Sequence, residues 1–144
     1  MLIGVLGSDS GPVVEVLRNW IDSGLKINHR TVRLMELDPL IDNPDSETVA
    51  AYLERCDLLL FSSDSIDDWI RIRPIVENMP IITVSGSEGF SRLGGFIELL
   101  PNPVKTKQIM IVNMDAMQRT GVNLSSKMLT LNSIVLLRDQ DTPR

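Results

Sequence analysis

Gly94-Gly95-Phe96-Ile97-Glu98-Leu99-Leu100, a Pro101-Asn102-Pro103 loop, Gln108-Ile109-Met110-Ile111-Val112 and then Asn113-Met114-Asp115-Ala116-Met117-Gln118-Arg119-Thr120-Gly121-Val122 decide the fold. The paired glycine predicts a backbone that needs positive φ or a close approach just before a strand. Two apolar runs joined by a short proline-bearing loop predict an antiparallel hairpin. Asn113 stands where the second strand would end and a helix begin. Its side chain can accept from an orphan N–H of the first turn, and Asp115 suits the positive end of the helix. Gly121 is the expected stop. Ser125 or Ser126 could cap a further short helix with Met128, Leu129 and Leu131 on its buried side.

Upstream, strands and helices alternate. Leu2 to Gly7 reads as an apolar strand. Ser8-Asp9-Ser10-Gly11-Pro12 turns the chain into a helix whose Val13, Val16, Leu17, Trp20 and Ile21 share one face. Thr31 to Leu37 alternates, with Val32 and Leu34 on one side and Met35 on the other. After an Asp38 to Pro44 loop, Asp45 or Ser46 caps a helix through Val49, Tyr52 and Leu53. Asp57 to Ser63 and Pro80 to Val84 are near-continuous apolar runs, the pattern of strands buried on both faces. Between them, Ser65-Ile66-Asp67-Asp68 has capping-box spacing, with aspartate for glutamate, and Pro74 predicts a kink or a fresh start in the helix that follows.

The expected fold is therefore α/β: a single domain with a mostly parallel sheet, helices on both faces and an antiparallel C-terminal hairpin at one edge. The domain would span 1–137, with 138–144 a polar tail.

Composition narrows the function. A chain of 144 residues fits one domain with one sizeable core. Aromatics make up only 4%, so that core must be aliphatic. A net charge of −5 argues against general nucleic-acid binding, which needs clustered Lys and Arg. No apolar run approaches the roughly 20 residues of a membrane span. No charged leader with a small-residue cleavage site precedes Leu2; the chain opens inside its first strand, as a trimmed mature domain would. Cys56, the sole cysteine, excludes an internal disulfide and reads as a small buried residue at a strand entrance, with a reactive thiol or intermolecular bridge as the alternative.

No catalytic constellation stands out. His29 is the only histidine, set among Lys26, Asn28 and Arg30, which excludes a multi-histidine zinc site. Asp67 and Asp68 diverge by about a hundred degrees on a helix, so they do not form a facing carboxylate pair. Ser125-Ser126 has no general base near it in sequence and reads as a cap. Gly4, Gly7 and Gly11 do not have dinucleotide-binding spacing, and a plain strand-to-helix turn explains them. The same helix start, Ser8, Asp9, Ser10 and Gly11, could hold an anion or small ligand. A phosphoacceptor receiver would place acids at Asp9 and Asp64 and a hydroxyl at Ser85. It lacks the lysine after the fifth strand, where Leu100 leads into Pro101.

Val84-Ser85, Gly89-Phe90, Gly94-Gly95-Phe96-Ile97, Asn113, Ala116, Gly121-Val122 and Leu124-Ser125-Ser126 with Leu129 together resemble the YfiR family of bacterial periplasmic signalling proteins. The order and spacing of these positions carry the resemblance, which runs from Ile3 to about Val135. Family members often carry cysteine pairs, and this sequence does not.

The resemblance implies a non-enzymatic periplasmic regulator without cofactor or metal. It would bind and inhibit a membrane-bound diguanylate cyclase through that enzyme's periplasmic sensory region, lowering cyclic-di-GMP signalling and biofilm formation. It also implies a homodimer; the charge and the apolar runs weigh against a nucleic-acid partner and direct membrane insertion. The first candidate for the partner surface is Ser87, Glu88, Phe90, Arg92 and Leu93, a short segment mixing exposed types with apolar ones; Phe90 and Leu93 could equally cover the sheet edge. A receiver-like phosphosignalling domain and a small-ligand sensor are the alternatives.

Overall fold

The computed structural model describes residues 1–6, 11–27, 29–36, 46–61, 66–100, 109–124 and 134–138. In chain order the elements are β1 (Leu2–Leu6), α1 (Gly11–Asp22), β2 (Lys26–Ile27), β3 (Arg30–Thr31), β4 (Arg33–Glu36), α2 (Ser46–Leu53), β5 (Leu58–Phe61), α3 (Ile66–Val76), β6 (Ile82–Ser85), β7 (Ile97–Leu100), β8 (Ile109–Asn113), α4 (Met114–Thr120) and β9 (Ile134–Leu137). Ser8, Asp9, Ser10, Asp45, Asp64, Ser65, Ser125 and Ser126, expected above as caps or ligand positions, lie outside the described residues.

One seven-stranded sheet carries the order β4-β1-β5-β6-β7-β8-β9. Its first five strands are parallel and follow the flavodoxin-like order 2-1-3-4-5. β7 and β8 form the expected antiparallel pair, in register Ile97↔Val112 to Leu100↔Ile109. The edge itself is β9, which pairs parallel to β8. The α/β expectation holds, with one strand more beyond the hairpin.

Strand alternation divides the core between the two faces. From β5, Leu58 and Leu60 point towards α1 and α4, while Leu59 and Phe61 point towards α2 and α3. On the first face Val14 and Leu17 of α1 pack on Ile3, Val5 and Val32, and Ala116 of α4 packs with Val84, Ile97 and Val112. On the second, Val49 and Leu53 of α2 join Trp69, Ile72 and Val76 of α3 over Leu6, Leu59 and Phe61. Helices thus cover both faces, because the chain steps one way across the sheet from β1 to β4 and the other way from β4 to β5 and β6.

Two helix expectations need correction. Trp20 is 56% exposed and Val16 is also exposed, so the apolar face of α1 is wider than the sheet beneath it; Val14, Leu17 and Ile21 are the residues turned inward. Of the kink or fresh start expected at Pro74, the fresh start does not occur: helix α3 runs through that position. Position 74 lies on the exposed side, where water can satisfy the Ile70 carbonyl that a proline leaves without its usual donor. His29 is an exposed turn residue with φ 64 between the short strands β2 and β3.

Candidate functional site

The crossover from β6 to β7 has no helix. Parallel strands need a connection that rises off the sheet and returns, usually a helix. Here residues 86–96 do this as a string of tight turns. Phe90 supplies the apolar face a helix would otherwise provide. Its ring is fully buried, 4.8 Å from Trp69 and 5.7 Å from Phe61 between ring centroids. Burying a phenylalanine side chain contributes roughly 1.5–3 kcal/mol.

Both glycines have a local cause. The Gly95 N–H donates to the Phe90 carbonyl at 3.0 Å and the Gly94 N–H to the Ser91 carbonyl at 3.1 Å. These are the two bonds of a Schellman motif, and they put Gly94 in the left-handed region at φ 92. A Cβ on Gly94 would also meet the Arg73 guanidinium at 3.0 Å, and one on Gly95 would overlap the Phe90 ring. Positive φ applies to the first glycine and close approach to the second.

The loop is tied to four elements. Trp69 Nε1 of α3 donates to the Leu93 carbonyl at 3.1 Å. Arg119 Nη2 of α4 donates to the Gly94 carbonyl at 3.3 Å. Asn113 Nδ2, at the end of β8, donates to the Ser91 carbonyl at 2.7 Å. The Phe96 N–H donates to Thr83 Oγ1 of β6 at 3.0 Å.

Asn113 does two things at once. Its Oδ1 caps α4 by accepting from the Asp115 and Ala116 N–H groups, both at 3.0 Å, while its Nδ2 holds the loop. The expected cap and the expected stop are both present, the latter as Gly121 in the left-handed region at φ 70.

A fifth tie comes from a residue the sequence reading passed over. Glu98 of β7 is only 2% exposed. Its Oε1 accepts from the Gly89 N–H at 2.9 Å, and its Oε2 accepts from the Ser91 N–H at 2.9 Å and Ser91 Oγ at 2.6 Å. In register it lies between Ser85 of β6 and Ile111 of β8, on the α3 side of the sheet. A carboxyl group in a strand that also carries Ile97 and Leu99 is a visible anomaly. What no local pattern reveals is that its partners are the backbone of the preceding loop.

The five candidate partner residues separate. Glu88, Arg92 and Leu93 are exposed. Phe90 and Ser87 are not: the ring of Phe90 is in the core, and Ser87 is buried beside Ser85, whose Oγ accepts from the Ser87 N–H at 3.1 Å. Their side chains do not reach the outer surface, because the turn that directs residues 88, 92 and 93 outward directs 87, 90 and 91 inward. Of the candidate anion site, only the helical backbone at Gly11 is described.

Chemically the loop offers a hydrogen-bonded turn with Glu88, Arg92 and Leu93 exposed. Among the described residues no three His, Cys, Asp or Glu gather to hold a metal. No helix among them is long and apolar enough to cross a membrane. Cys56 is buried, and burial pushes its thiol up to about 11, with Asp57 adding to the effect and Arg55 opposing it.

A family model described as YfiR/HmsC-like matches residues 1–132. The chain belongs to that family. Its members are in general periplasmic and act with membrane diguanylate cyclases in cyclic-di-GMP signalling. No curated protein matches the sequence. Among solved structures the chain is similar to the ligand-free, open structure of CD0873, a substrate binding protein with adhesive properties from Clostridium difficile. The TM-score is 0.64 at 16% identity, over 95% of this chain and 54% of the other. The likeness is one of fold, and the chain spans about half the length of that protein. The YfiR-like family is a non-catalytic kind.

Proposed function

We propose that this protein is a non-enzymatic periplasmic inhibitor of a membrane-bound diguanylate cyclase, docking on the enzyme's periplasmic sensory region. Family membership over residues 1–132 carries the reading. The mechanism is linkage. The protein binds the inactive arrangement of the sensor more tightly than the active one and shifts its population. Moving such an equilibrium from 1:99 to 99:1 takes a difference in affinity of about 5.5 kcal/mol between the two states.

The docking surface is the outer side of residues 86–96, with Leu93 as the apolar contact and Glu88 and Arg92 as its polar rim. This loop suits the task because five hydrogen-bonded ties fix its backbone, so little ordering entropy is lost on binding. A homodimer is part of the proposal, with the β9 edge as its contact. Val135 and Leu136 are exposed there, whereas the opposite edge strand β4 carries the charges of Arg33 and Glu36.

Titration calorimetry of the chain against the purified sensory region of a membrane cyclase from the same organism tests the docking. Saturable binding by the wild type, weakened in Leu93→Asp, supports it. Absence of binding by a folded wild-type chain rejects it.

A further inference from the structure

We infer that Glu98 is a positioning residue for partner recognition: its buried carboxyl group sets the conformation in which residues 88–93 are displayed. The inference rests on the docking reading above and adds to it the internal group on which that surface depends.

Three observations carry it. Glu98 sits in a strand whose other described positions are apolar, and it is almost completely buried. All three of its hydrogen bonds come from the loop, two of them from backbone N–H groups at Gly89 and Ser91. Those two positions bracket Phe90 and lie next to the exposed residues Glu88 and Arg92. A group placed only to support the sheet would bond to the sheet. This one holds the loop from below, at its inward-turned residues, and so fixes the direction of the outward ones.

The chemistry is also demanding. Two backbone donors and one hydroxyl converge on two oxygens, so both oxygens must act as acceptors. Glutamine matches the shape but replaces one oxygen with an N–H₂ donor. That donor would face either the Gly89 N–H or the Ser91 N–H, and one buried backbone donor would lose its partner in either orientation. Ser91→Ala is the milder change. It removes only the hydroxyl bond and keeps both backbone bonds to Glu98.

Loop opening and partner affinity are to be measured together. Amide hydrogen exchange follows residues 86–96 in the full chain, and calorimetry follows binding to the same purified sensory region. Val49→Ala, a core change in α2, is the control for general destabilisation. In Glu98→Gln we expect exchange at Gly89 and Ser91 to rise at least tenfold above that in β1 and β5. Affinity should fall about tenfold or more. Ser91→Ala should lie between that variant and wild type, and Val49→Ala should bind within twofold of wild type. If wild type binds and Glu98→Gln binds equally well with its loop open, the inference is overturned while the docking reading stands. A loop that stays protected in Glu98→Gln also overturns it. Failure of the wild type itself to bind overturns the docking reading and this inference with it.

Discussion

Phe90 and Gly95 occupy space that only a glycine at 95 leaves free: a Cβ there would overlap the edge of the Phe90 ring, while the Gly95 N–H donates to the Phe90 carbonyl at 3.0 Å. The β6–β7 connection has no helix, so this contact closes the core under it. Gly95→Ala must push the ring off Trp69 and Phe61, and overpacking of this kind costs about 1–3 kcal/mol. Phe90→Ala leaves a cavity instead and should cost about 3–5 kcal/mol. The double variant should cost less than the sum, because removing the ring makes room for the new methyl group. Urea unfolding of the four proteins measures the coupling; strict additivity would mean that the two positions do not meet.

The split between what the sequence discloses and what it hides follows from range. Asn113, Gly121, Gly94 and the β7–β8 pair are legible because each rests on neighbours a few residues away. Trp20 was misread because helical periodicity tells which residues share a face and says nothing of how wide the covering sheet is. Sequence leaves Phe90 open between docking and covering the sheet, because a phenylalanine between Gly89 and Ser91 in a turn-rich segment has no local sign of its depth. Only its contacts with Phe61 and Trp69, from two other elements, place it inside. Glu98 was missed for the same reason: its three bonds return to a loop that no periodicity describes. β9 is not legible as a strand, since a lone apolar run does not reveal its pairing partner.

Asn113→Asp tests the tie between β8 and the loop. Aspartate and asparagine cap helices about equally well, so α4 should keep its start. The change replaces the Nδ2 donor with an oxygen facing the Ser91 carbonyl at the 2.7 Å hydrogen-bond position. Leaving a buried group unsatisfied costs about 1–3 kcal/mol, more when charged. Asn113→Asp should therefore destabilise by at least about 1–3 kcal/mol although the cap survives. A denaturation midpoint equal to that of wild type would show that the tie to the loop contributes nothing.

Cys56 gives a pH signature. Its thiol is pushed up from an ordinary value of 9.0 to about 11, first by burial and then by Asp57. The native state therefore keeps this proton after the unfolded chain has lost it. Stability from this group is level below the lower value and falls as pH rises from 9.0 towards about 11. Cys56→Ala should lose less stability than wild type between about pH 8 and about pH 10.5. Urea midpoints at both pH values check this, and equal losses in the two proteins would contradict it. Thiol reagents at neutral pH should react slowly with the native chain and quickly once it unfolds.

The two tryptophans report on the two faces. Trp69 is 1% exposed and donates its indole N–H to Leu93, whereas Trp20 is more than half exposed on α1. Acrylamide should quench Trp20 and spare Trp69. Trp20→Phe should leave a blue-shifted emission that resists quenching, with stability within about 0.5 kcal/mol of wild type. Ready quenching in Trp20→Phe would mean that the α3–loop contact is open.

Inhibition is read out by cyclic-di-GMP production from the full membrane cyclase, reconstituted with its sensory region facing added protein. Output should fall saturably as wild-type chain is added, Leu93→Asp should require much higher concentrations for the same effect, and the chain itself should be recovered unmodified. Output that does not change while the folded chain is present in excess would contradict inhibition.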